Sequence, residues 1–229
     1  RGDHPSIDNW MYVNQRIKDA IVDRMQERVG VRPSSGPERI GVVISAYWRN
    51  DYCWIYLNTS GNKLSDRGYR RIPLKAPMTE TLAAGVVLAT GYDGSQPFVN
   101  PMCGSGTLAI EAALLAAQRA PGLLRSNFGL MHILGFDEKA WKDIRVETGK
   151  LRRKDKPAPI IASDIDAKAI EAARQNAKTA GVDHLIDFHA CDFAETPVPP
   201  DPGIVVVNPE YGQRMSDAAA LERTYKRIG

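Results

Sequence analysis

The fold is decided by residues 98–120, which read FVNPMCGSGTLAIEAALLAAQRA. A short apolar run comes first, then a turn with two glycines, and then an apolar stretch from Thr107 to Arg119 that is predicted to be a helix. Glycines between a strand and a helix let the backbone approach a ligand closely, and the helix N-terminus offers free N–H groups. The GxG spacing lacks the third glycine of a dinucleotide fingerprint, and no Lys follows it as in a P-loop. A purely structural tight turn is therefore an equal alternative.

Strands and helices alternate on both sides of this stretch. Four short apolar runs are predicted to be strands: 98–99, 160–162, 186–190 and 204–207. Helices are predicted to start at Pro77, which suits a first helical turn, and to cover 107–119, 167–180 and 218–228. The alternation predicts an α/β fold, with a Rossmann-like parallel sheet covered by helices on both faces. Residues 121–159 are predicted to be an irregular insertion.

The last predicted strand, 204–207, is apolar throughout. If the sheet ended there, this strand would be an open apolar edge, which favours aggregation. We therefore expect the chain to be a fragment, truncated after the fourth strand and also lacking residues at its start.

The N-terminal part has a different pattern. An amphipathic helix is predicted over 9–29, where Val13, Ile17, Ile21 and Met25 recur every four positions. Strand-like runs at 40–48 and 53–57 follow, and the polar residues between them predict a hairpin. A polar, basic connector follows the hairpin at residues 60–63 and 67–71. We therefore place a domain boundary near residue 72, which divides the chain into domains 1–72 and 73–229.

The charge is distributed unevenly. Residues 1–75 hold 13 Lys and Arg against 8 Asp and Glu, a net charge of +5, whereas the rest of the chain holds 17 against 19. This excess favours an anionic partner for the first third, although a solvated face without a partner is an equal alternative. The basic run from Lys150 to Lys156 is compatible with phosphate contacts but is more typical of a solvated linker.

Composition excludes several classes of protein. The 229 residues contain no apolar stretch long enough to cross a membrane, and the first residues do not show the pattern expected of a signal peptide. Three distant cysteines, with no histidine at metal-ligand spacing, predict neither a metal site nor a disulfide framework and favour the cytoplasm. The sequence does not indicate an oligomeric state.

Two acidic residues follow predicted strands. Asp164 ends the strand at 160, where a carboxylate can accept hydrogen bonds from both ribose hydroxyls of a nucleoside. The alternative role is an N-cap for the next helix, which Asp166 is placed to provide. After the following strand, Asp192 could accept a hydrogen bond from an adenine amino group and Phe193 could pack on the ring. Taken alone, an Asp in this position is more often a turn former.

The strand at 204–207 leads into Asn208-Pro209-Glu210-Tyr211-Gly212. To methylate an exocyclic NH₂ group, an enzyme must hold its two hydrogens so that the nitrogen lone pair points at the methyl group. The side-chain carbonyl of Asn208 and the backbone carbonyl of Pro209 can do this, while the ring of Tyr211 stacks on the base. The order of these elements predicts methyl transfer to an amino group.

These motifs resemble a known family. Residues 208–211 resemble the (N/D)PPY motif of class I amino-methyltransferases, and residues 100–107 resemble the DPMCGSGT of THUMP-domain RNA guanine-N2 methyltransferases. The stretches RGYRR, KAPM, ETL and IEAA at 67–71, 75–78, 80–82 and 110–113 are also similar to that family. The likeness covers most of residues 38–229.

The resemblance implies a methyltransferase that uses S-adenosylmethionine and acts on N2 of guanine in ribosomal RNA. It implies that residues 1–72 are part of an RNA-binding THUMP module, and that Asn208, Pro209, Glu210 and Tyr211 meet the target base. The residues implied in cofactor binding are Asn100, Pro101, Cys103, Gly104, Ser105, Gly106, Asp164, Ile165, Asp192, Phe193, Pro77 and Thr81.

Two residues depart from the family pattern. Asn100 replaces the usual acidic residue, which weakens any expectation that this position forms a charge pair with the methionine amino group. Glu210 replaces the second proline, but the acceptor carbonyl belongs to Pro209 and is retained. A carboxylate at 210 would pair with the N1–H and N2–H₂ donors of guanine, whereas a solvent-facing Glu is an equal alternative.

Two other functions fit the same residues. An N6-adenine DNA methylase shares the (N/D)PPY motif, and a non-catalytic RNA-binding scaffold could keep the same sheet. A cysteine nucleophile is rejected. Cys103 lies in residues 100–107, the expected cofactor loop, and Cys191 has no activating base beside it in sequence.

Overall fold

The computed structural model describes residues 2–4, 7–36, 38, 41–74, 78–153, 155–209 and 218–228. The chain divides into two compact units, one formed by Arg1–Lys63 with Ser126–Glu138 and the other by Leu64–Arg125 with Lys139–Gly229. The change of unit after Lys63 comes before the expected boundary near residue 72 and divides the basic connector, whose residues 67–71 belong to the second unit. None of the helices in the described part of the chain has the length and hydropathy needed to cross a bilayer.

The first unit contains the predicted helix and hairpin. Its elements are β1 (Gly2–Asp3), α1 (Trp10–Val29), β2 (Val43–Arg49) and β3 (Tyr52–Asn58). The hairpin strands β2 and β3 pair antiparallel, and β1 pairs parallel with β2. Helix α1 begins after Asn9, whose side chain accepts hydrogen bonds from the N–H groups of Met11 and Tyr12, and it ends at Gly30 with a positive φ of 73°.

The burial of α1 differs from the prediction. Of the expected apolar stripe, Met25 is 44% exposed, whereas Val22, which lies outside that stripe, is only 4% exposed. The other stripe positions are half-buried. The four-residue repeat therefore gave the helix correctly but not the side that packs most tightly.

The second unit contains the predicted parallel sheet. Its strands are β4 (Phe98–Asn100), β5 (Ile160–Asp164), β6 (Ile186–Ala190) and β7 (Ile204–Val205), in the order β6-β5-β4-β7. All three pairings are parallel, which confirms the Rossmann-like α/β fold. Strand β7 is shorter than predicted, although the N–H of Val206 still donates to the carbonyl of Val99 at 2.9 Å.

The helices of this unit are α2 (Glu80–Ala89), α3 (Thr107–Ala116), α4 (Glu138–Lys150), α5 (Ala167–Ala180) and α6 (Ala218–Ile228). Helix α3 is almost completely enclosed, and its Ile110 packs in one core with Phe98 and Ile160, all with no exposed surface. This burial explains why α3 is apolar on all sides rather than amphipathic.

Helix α4 corrects the prediction of an irregular insertion over 121–159. This helix buries none of its residues, so its sequence carries no strong apolar stripe. Instead it has long polar side chains and an i,i+4 ion pair between Lys139 and Asp143 at 3.0 Å, features that favour a helix without marking it in a hydrophobic pattern. Helix α2 begins at Glu80 after Thr79, not at Pro77, which lies outside the described residues.

The strand order fixes where a ligand can bind. From β4 the chain moves to β5 and β6 on one side and then returns to β7 on the other side of β4. This reversal makes a crevice at the carboxyl end of β4, where open α/β sheets bind ligands. The loops that carry the predicted motifs all begin at this edge.

Candidate functional site

The loop after β4 is held by its neighbours along the sheet edge. The N–H of Cys103 donates to the carbonyl of Ser163 at 2.9 Å, and the N–H of Gly104 donates to Oδ2 of Asp164, also at 2.9 Å. The turn then closes through a 2.9 Å hydrogen bond from the N–H of Gly106 to the carbonyl of Cys103. The loop is therefore fixed before any ligand binds.

The two glycines of the loop have different physical roles. Gly106 has a φ of +81°, and a Cβ there would lie 2.8 Å from Cβ of Ala173, so its absence lets α3 pack against α5. Gly104 also has a positive φ, of +55°, but a Cβ there would meet nothing within 4 Å. The structural role thus belongs to Gly106, while the backbone at Gly104 faces open space that a ligand can use.

Asn100 ends β4 and has no exposed surface. Its Nδ2 donates to the carbonyl of Val206 at 2.8 Å, which ties the cofactor loop to the segment that carries Asn208. Its Oδ1 is buried and has no hydrogen-bond partner among the described residues. An acidic residue could not donate to Val206, so the departure from the family pattern has a structural role, and the unpaired oxygen fits a donor such as an ammonium group.

Two roles were considered for Asp164 and Asp166, binding of ribose hydroxyls and capping of the next helix. Asp166 caps α5 by accepting from the N–H of Lys168 at 2.9 Å, which confirms its predicted role. Asp164 is half-buried, with Oδ2 on the N–H of Gly104 and Oδ1 on the N–H of Asp166 at 3.0 Å. Each oxygen keeps a free acceptor position, so binding of ribose hydroxyls remains a prediction that this geometry permits. Between them Ile165 is 75% exposed at the same edge.

Asp192 takes the alternative role of turn former. Its Oδ1 accepts from the N–H of Ala194 at 2.9 Å and so caps the short 3₁₀ turn Phe193–Glu195. Arg227 of α6 binds both carboxylate oxygens, at 2.7 and 3.2 Å, and its guanidinium lies 4.6 Å from the ring centre of Phe193. This pairing lowers the pKa of Asp192. An adenine placed here must therefore share or displace Arg227, which the sequence did not indicate.

The segment after β7 carries the predicted target-base residues. Asn208 and Pro209 are half-buried just beyond the carboxyl end of β7, one strand away from Asn100. Within the described part of the chain the side chain of Asn208 has no hydrogen-bond partner. Glu210 and Tyr211 lie outside the described residues.

Cys103 is only 9% exposed. Burial is the main cause that raises the pKa of its thiol well above the ordinary value, and the charge of Asp164 raises it further. A thiolate nucleophile is therefore disfavoured at this position.

A buried polar network under the cofactor loop contains two of the cations that contribute to the positive excess of residues 1–75, Arg67 and Arg70. Arg67 lies 3.2 Å from Glu111 of α3, and Arg70 lies 3.7 Å from Glu80 of α2. The two arginine side chains are only 13% and 14% exposed, so neither is free to bind a nucleic acid. Arg71 is exposed.

The network also reaches the cofactor loop. Arg70 donates to the carbonyl of Met78 at 2.6 Å and to Oγ1 of Thr107, the first residue of α3, at 3.1 Å. Fully buried Asn176 bridges the connector to the loop, accepting from the N–H of Arg71 and donating to the carbonyl of Ser105. Sequence reasoning missed these residues, although an acidic residue inside the apolar helices α2 and α3 was a signal that cationic partners exist. The exposed Thr81 follows Glu80 on α2.

Comparisons with known proteins agree with this geometry. A possible methylase from Clostridium difficile 630 has a TM-score of 0.81 at 34% identity, over 94% of this chain and 56% of that one. A predicted N6-adenine-specific DNA methylase from Listeria monocytogenes has a TM-score of 0.83 at 35% identity, over 99% and 60% of the two chains. SMU.472, described as a methyltransferase and solved in complex with SAH, has a TM-score of 0.83 at 28% identity, with the same coverage of 99% and 60%.

The chain thus spans less than two thirds of the length of each of these three proteins. Residues 67–229 match a methyltransferase-domain family, and this match contains the cofactor loop, Asp164 and Asn208. The chain therefore belongs to the UPF0020 family, the RMKL-like methyltransferase domain.

Proposed function

We propose that this protein transfers a methyl group from S-adenosylmethionine to an exocyclic base nitrogen, and that the target is N2 of guanine in ribosomal RNA. The observation that carries the proposal is the position of Asn208, whose side chain is without a partner among the described residues and lies next to the crevice at β4. An amide in this position can be reserved for a substrate, because none of the described residues hydrogen-bonds to its side chain.

The cofactor is S-adenosylmethionine, and the residues present fit it. Asn100 offers a buried acceptor that no described residue occupies, suited to the ammonium group of the methionine moiety. Gly104 offers open backbone, and Asp164 offers the free acceptor positions that ribose hydroxyls need. When bound, the cofactor supplies an electrophilic methyl group. The SAH complex of SMU.472 supports this assignment.

The chain's own residues position the amino group. The side-chain carbonyl of Asn208 and the backbone carbonyl of Pro209 accept its two N–H donors, which leaves the nitrogen lone pair directed toward the cofactor side of the crevice. Tyr211 stacks on the base. Catalysis is then mainly alignment, which can lower the barrier by several kcal/mol without a strong base.

Guanine and RNA are supported by different features. The carboxylate at Glu210 is complementary to the N1–H and N2–H₂ donors of guanine. The positive excess in residues 1–75, in the part of the chain that resembles a THUMP module, supports RNA as the carrier of that base. A second candidate is N6 of adenine in DNA, since the Listeria monocytogenes protein is named as such a methylase.

Replacement of Asn208 tests the catalytic proposal. Asn208→Ala should lower single-turnover methylation roughly a hundredfold or more, because the amino group loses its alignment. Calorimetric affinity for SAH should stay near wild type. Cys191→Ser, at a half-buried cysteine near the same sheet edge, is the control and should keep full activity. Near-wild-type methylation by Asn208→Ala in the longest form of the protein that the gene encodes would contradict the proposal.

Nucleoside analysis separates the two targets. Mass spectrometry of RNA and DNA from cells with and without the gene should show loss of N2-methylguanosine from ribosomal RNA. Loss of N6-methyladenine from DNA would favour the second candidate instead. If the wild-type protein bound no SAH, a non-catalytic RNA-binding scaffold would replace both.

A further inference from the structure

A basic cavity of about 300 Å³ lies in the second unit, at the edge of the sheet opposite the crevice. Three segments line it: the end of α3 at Ala117, residues 152–153 and 155–157 before β5, and residues 184–185 before β6. In a parallel sheet, the residues that precede strands lie at the amino edge, whereas the methyl-transfer site lies at the carboxyl edge. The cavity is therefore separate from the site described above.

Cations dominate the lining of this cavity. Arg152, Arg153 and Lys156 contribute three permanent positive charges and His184 a fourth cationic group when protonated, whereas Asp155 is the one carboxylate among the lining residues. Within the described residues, neither Arg152 nor Lys156 has an ion-pair partner. These charges are available to an external anion.

A fifth cation adds to the positive charge nearby. Arg119 donates to the carbonyl of Gly181 at 2.9 Å. Burial lowers its pKa, and the charge of Arg152 lowers it further. Arg119 is therefore close enough to Arg152 for the two guanidinium groups to repel each other.

The backbone holds the cavity in shape. The N–H of Arg153 donates to the carbonyl of Ala117 at 2.9 Å, and the N–H of Ala158 donates to the carbonyl of Gly94 at 3.1 Å. Nη1 of Arg153 also contacts the carbonyl of Asp93 at 3.4 Å. The backbone is thus bound to the body of the unit at Arg153 and Ala158, while the side chains of Arg152 and Lys156 stay exposed, as expected for a solvated run.

We propose that this cavity binds a backbone phosphate of the RNA substrate. Arginine presents a planar fork of N–H donors that matches phosphate oxygens, and lysine adds a point charge. The proposal rests on the proposed function in that the phosphate belongs to the methylated RNA. Because the cavity and the crevice lie at opposite ends of the strands, the RNA must extend well beyond the target nucleotide. A phosphate held here would anchor the RNA at a distance from the reacting base.

A charge-matched pair of double variants tests this site. Fluorescence anisotropy measures binding of a short fluorescein-labelled RNA of mixed sequence to the wild type, to Arg152→Ala/Lys156→Ala, and to Lys139→Ala/Lys142→Ala. The second double variant removes the same charge from α4, outside the cavity. Calorimetry with SAH monitors folding of the second unit and tests the proposed function independently.

The cavity variant should bind RNA about tenfold more weakly, as expected for loss of charge-assisted hydrogen bonds, while the α4 variant should change by less than about twofold. Inorganic phosphate should compete with RNA for the wild type but much less for the cavity variant. Equal losses in both variants would overturn the proposal, since they would indicate a general charge effect. A second outcome would also overturn the proposal: the cavity variant loses phosphate binding but keeps its RNA affinity. That outcome would favour a free phosphate as the ligand.

Discussion

Glu111 shows how one buried carboxylate can make stability depend on pH. It is 3% exposed inside α3, accepts a 2.9 Å hydrogen bond from the hydroxyl of Tyr69, and lies beside Arg67. Burial is the largest influence and raises the pKa of Glu111 from 4.5 to about 7, although Arg67 and Tyr69 oppose it. The folded state therefore holds its proton more tightly than the unfolded state does.

We predict that the free energy of unfolding falls as the pH rises toward and through 7. A carboxyl whose pKa is raised by folding contributes its full stability below the unfolded value near 4.5 and loses it above the folded value near 7. The shift corresponds to about 3 kcal/mol. Urea unfolding from pH 4.5 to 8 should show this loss in the wild type and a flatter profile in Glu111→Gln.

Tyr69→Phe should change the pH dependence of stability in the direction opposite to Glu111→Gln. The donated hydrogen bond favours the ionised form of Glu111, so its removal should raise the pKa further and steepen the loss of stability. Parallel profiles for wild type and Glu111→Gln would show that Glu111 does not cause the pH dependence.

Among the secondary-structure elements, α6 places Arg227 on the two residues predicted to meet adenine, Asp192 and Phe193. Arg227 binds Asp192 and stacks on Phe193 while its side chain is 52% exposed. We predict that Arg227→Ala raises SAH affinity roughly fivefold, since a ligand that binds here must replace an exposed ion pair and a cation–π contact. Isothermal titration calorimetry measures this change.

Lys226→Ala is the matched control, because it removes the same charge from the same helix and breaks a 2.7 Å ion pair with Glu222 rather than with Asp192. It should leave SAH affinity unchanged. Weaker SAH binding by Arg227→Ala would mean that Arg227 supports the adenine instead of competing with it.

The elements were predictable where their signals are local. Gly30 and Gly181 end their helices with positive φ, and Asp166 caps α5, all within a few residues of the pattern that indicated them. The partners of Arg67 and Asp192 lie 44 and 35 residues away in sequence, at Glu111 and Arg227, so these pairings depend on how the sheet brings helices together. Helix α4 was missed because a helix without a buried face has no hydrophobic period to read.

The site was predictable to the same extent. The sequence placed Asn100, Asp164 and Asn208 after three strands, and the topology brings these strand ends to one edge of the sheet. The hydrogen bond from Asn100 to Val206 could not be predicted, because it depends on the adjacency of β4 and β7, whose strands are about one hundred residues apart.

For the whole molecule, only part of the positive excess in residues 1–75 is available to an anionic partner. Residues 1–75 carry a net charge of +5, but two of their cations form ion pairs inside the second unit, Arg67 with Glu111 and Arg70 with Glu80. Arg16 and Arg28 on α1 are exposed and form no ion pair with other described residues. These two arginines are therefore better candidates for a phosphate backbone.

We predict that RNA binding weakens steeply with salt and that Arg16→Ala/Arg28→Ala flattens this dependence. Each phosphate contact on a single strand contributes about 0.7 to the slope of log affinity against log salt, so two lost contacts should reduce it by roughly 1.4. The control is Lys18→Ala/Arg24→Ala on the same helix, where both cations are already paired, at 2.9 Å, with Asp19 and Glu27. Paired cations release fewer counterions, so the control should retain the wild-type slope. Filter binding across a salt series measures both. An RNA affinity that does not change with salt, or equal slopes in the three proteins, would exclude α1 as a phosphate-binding surface.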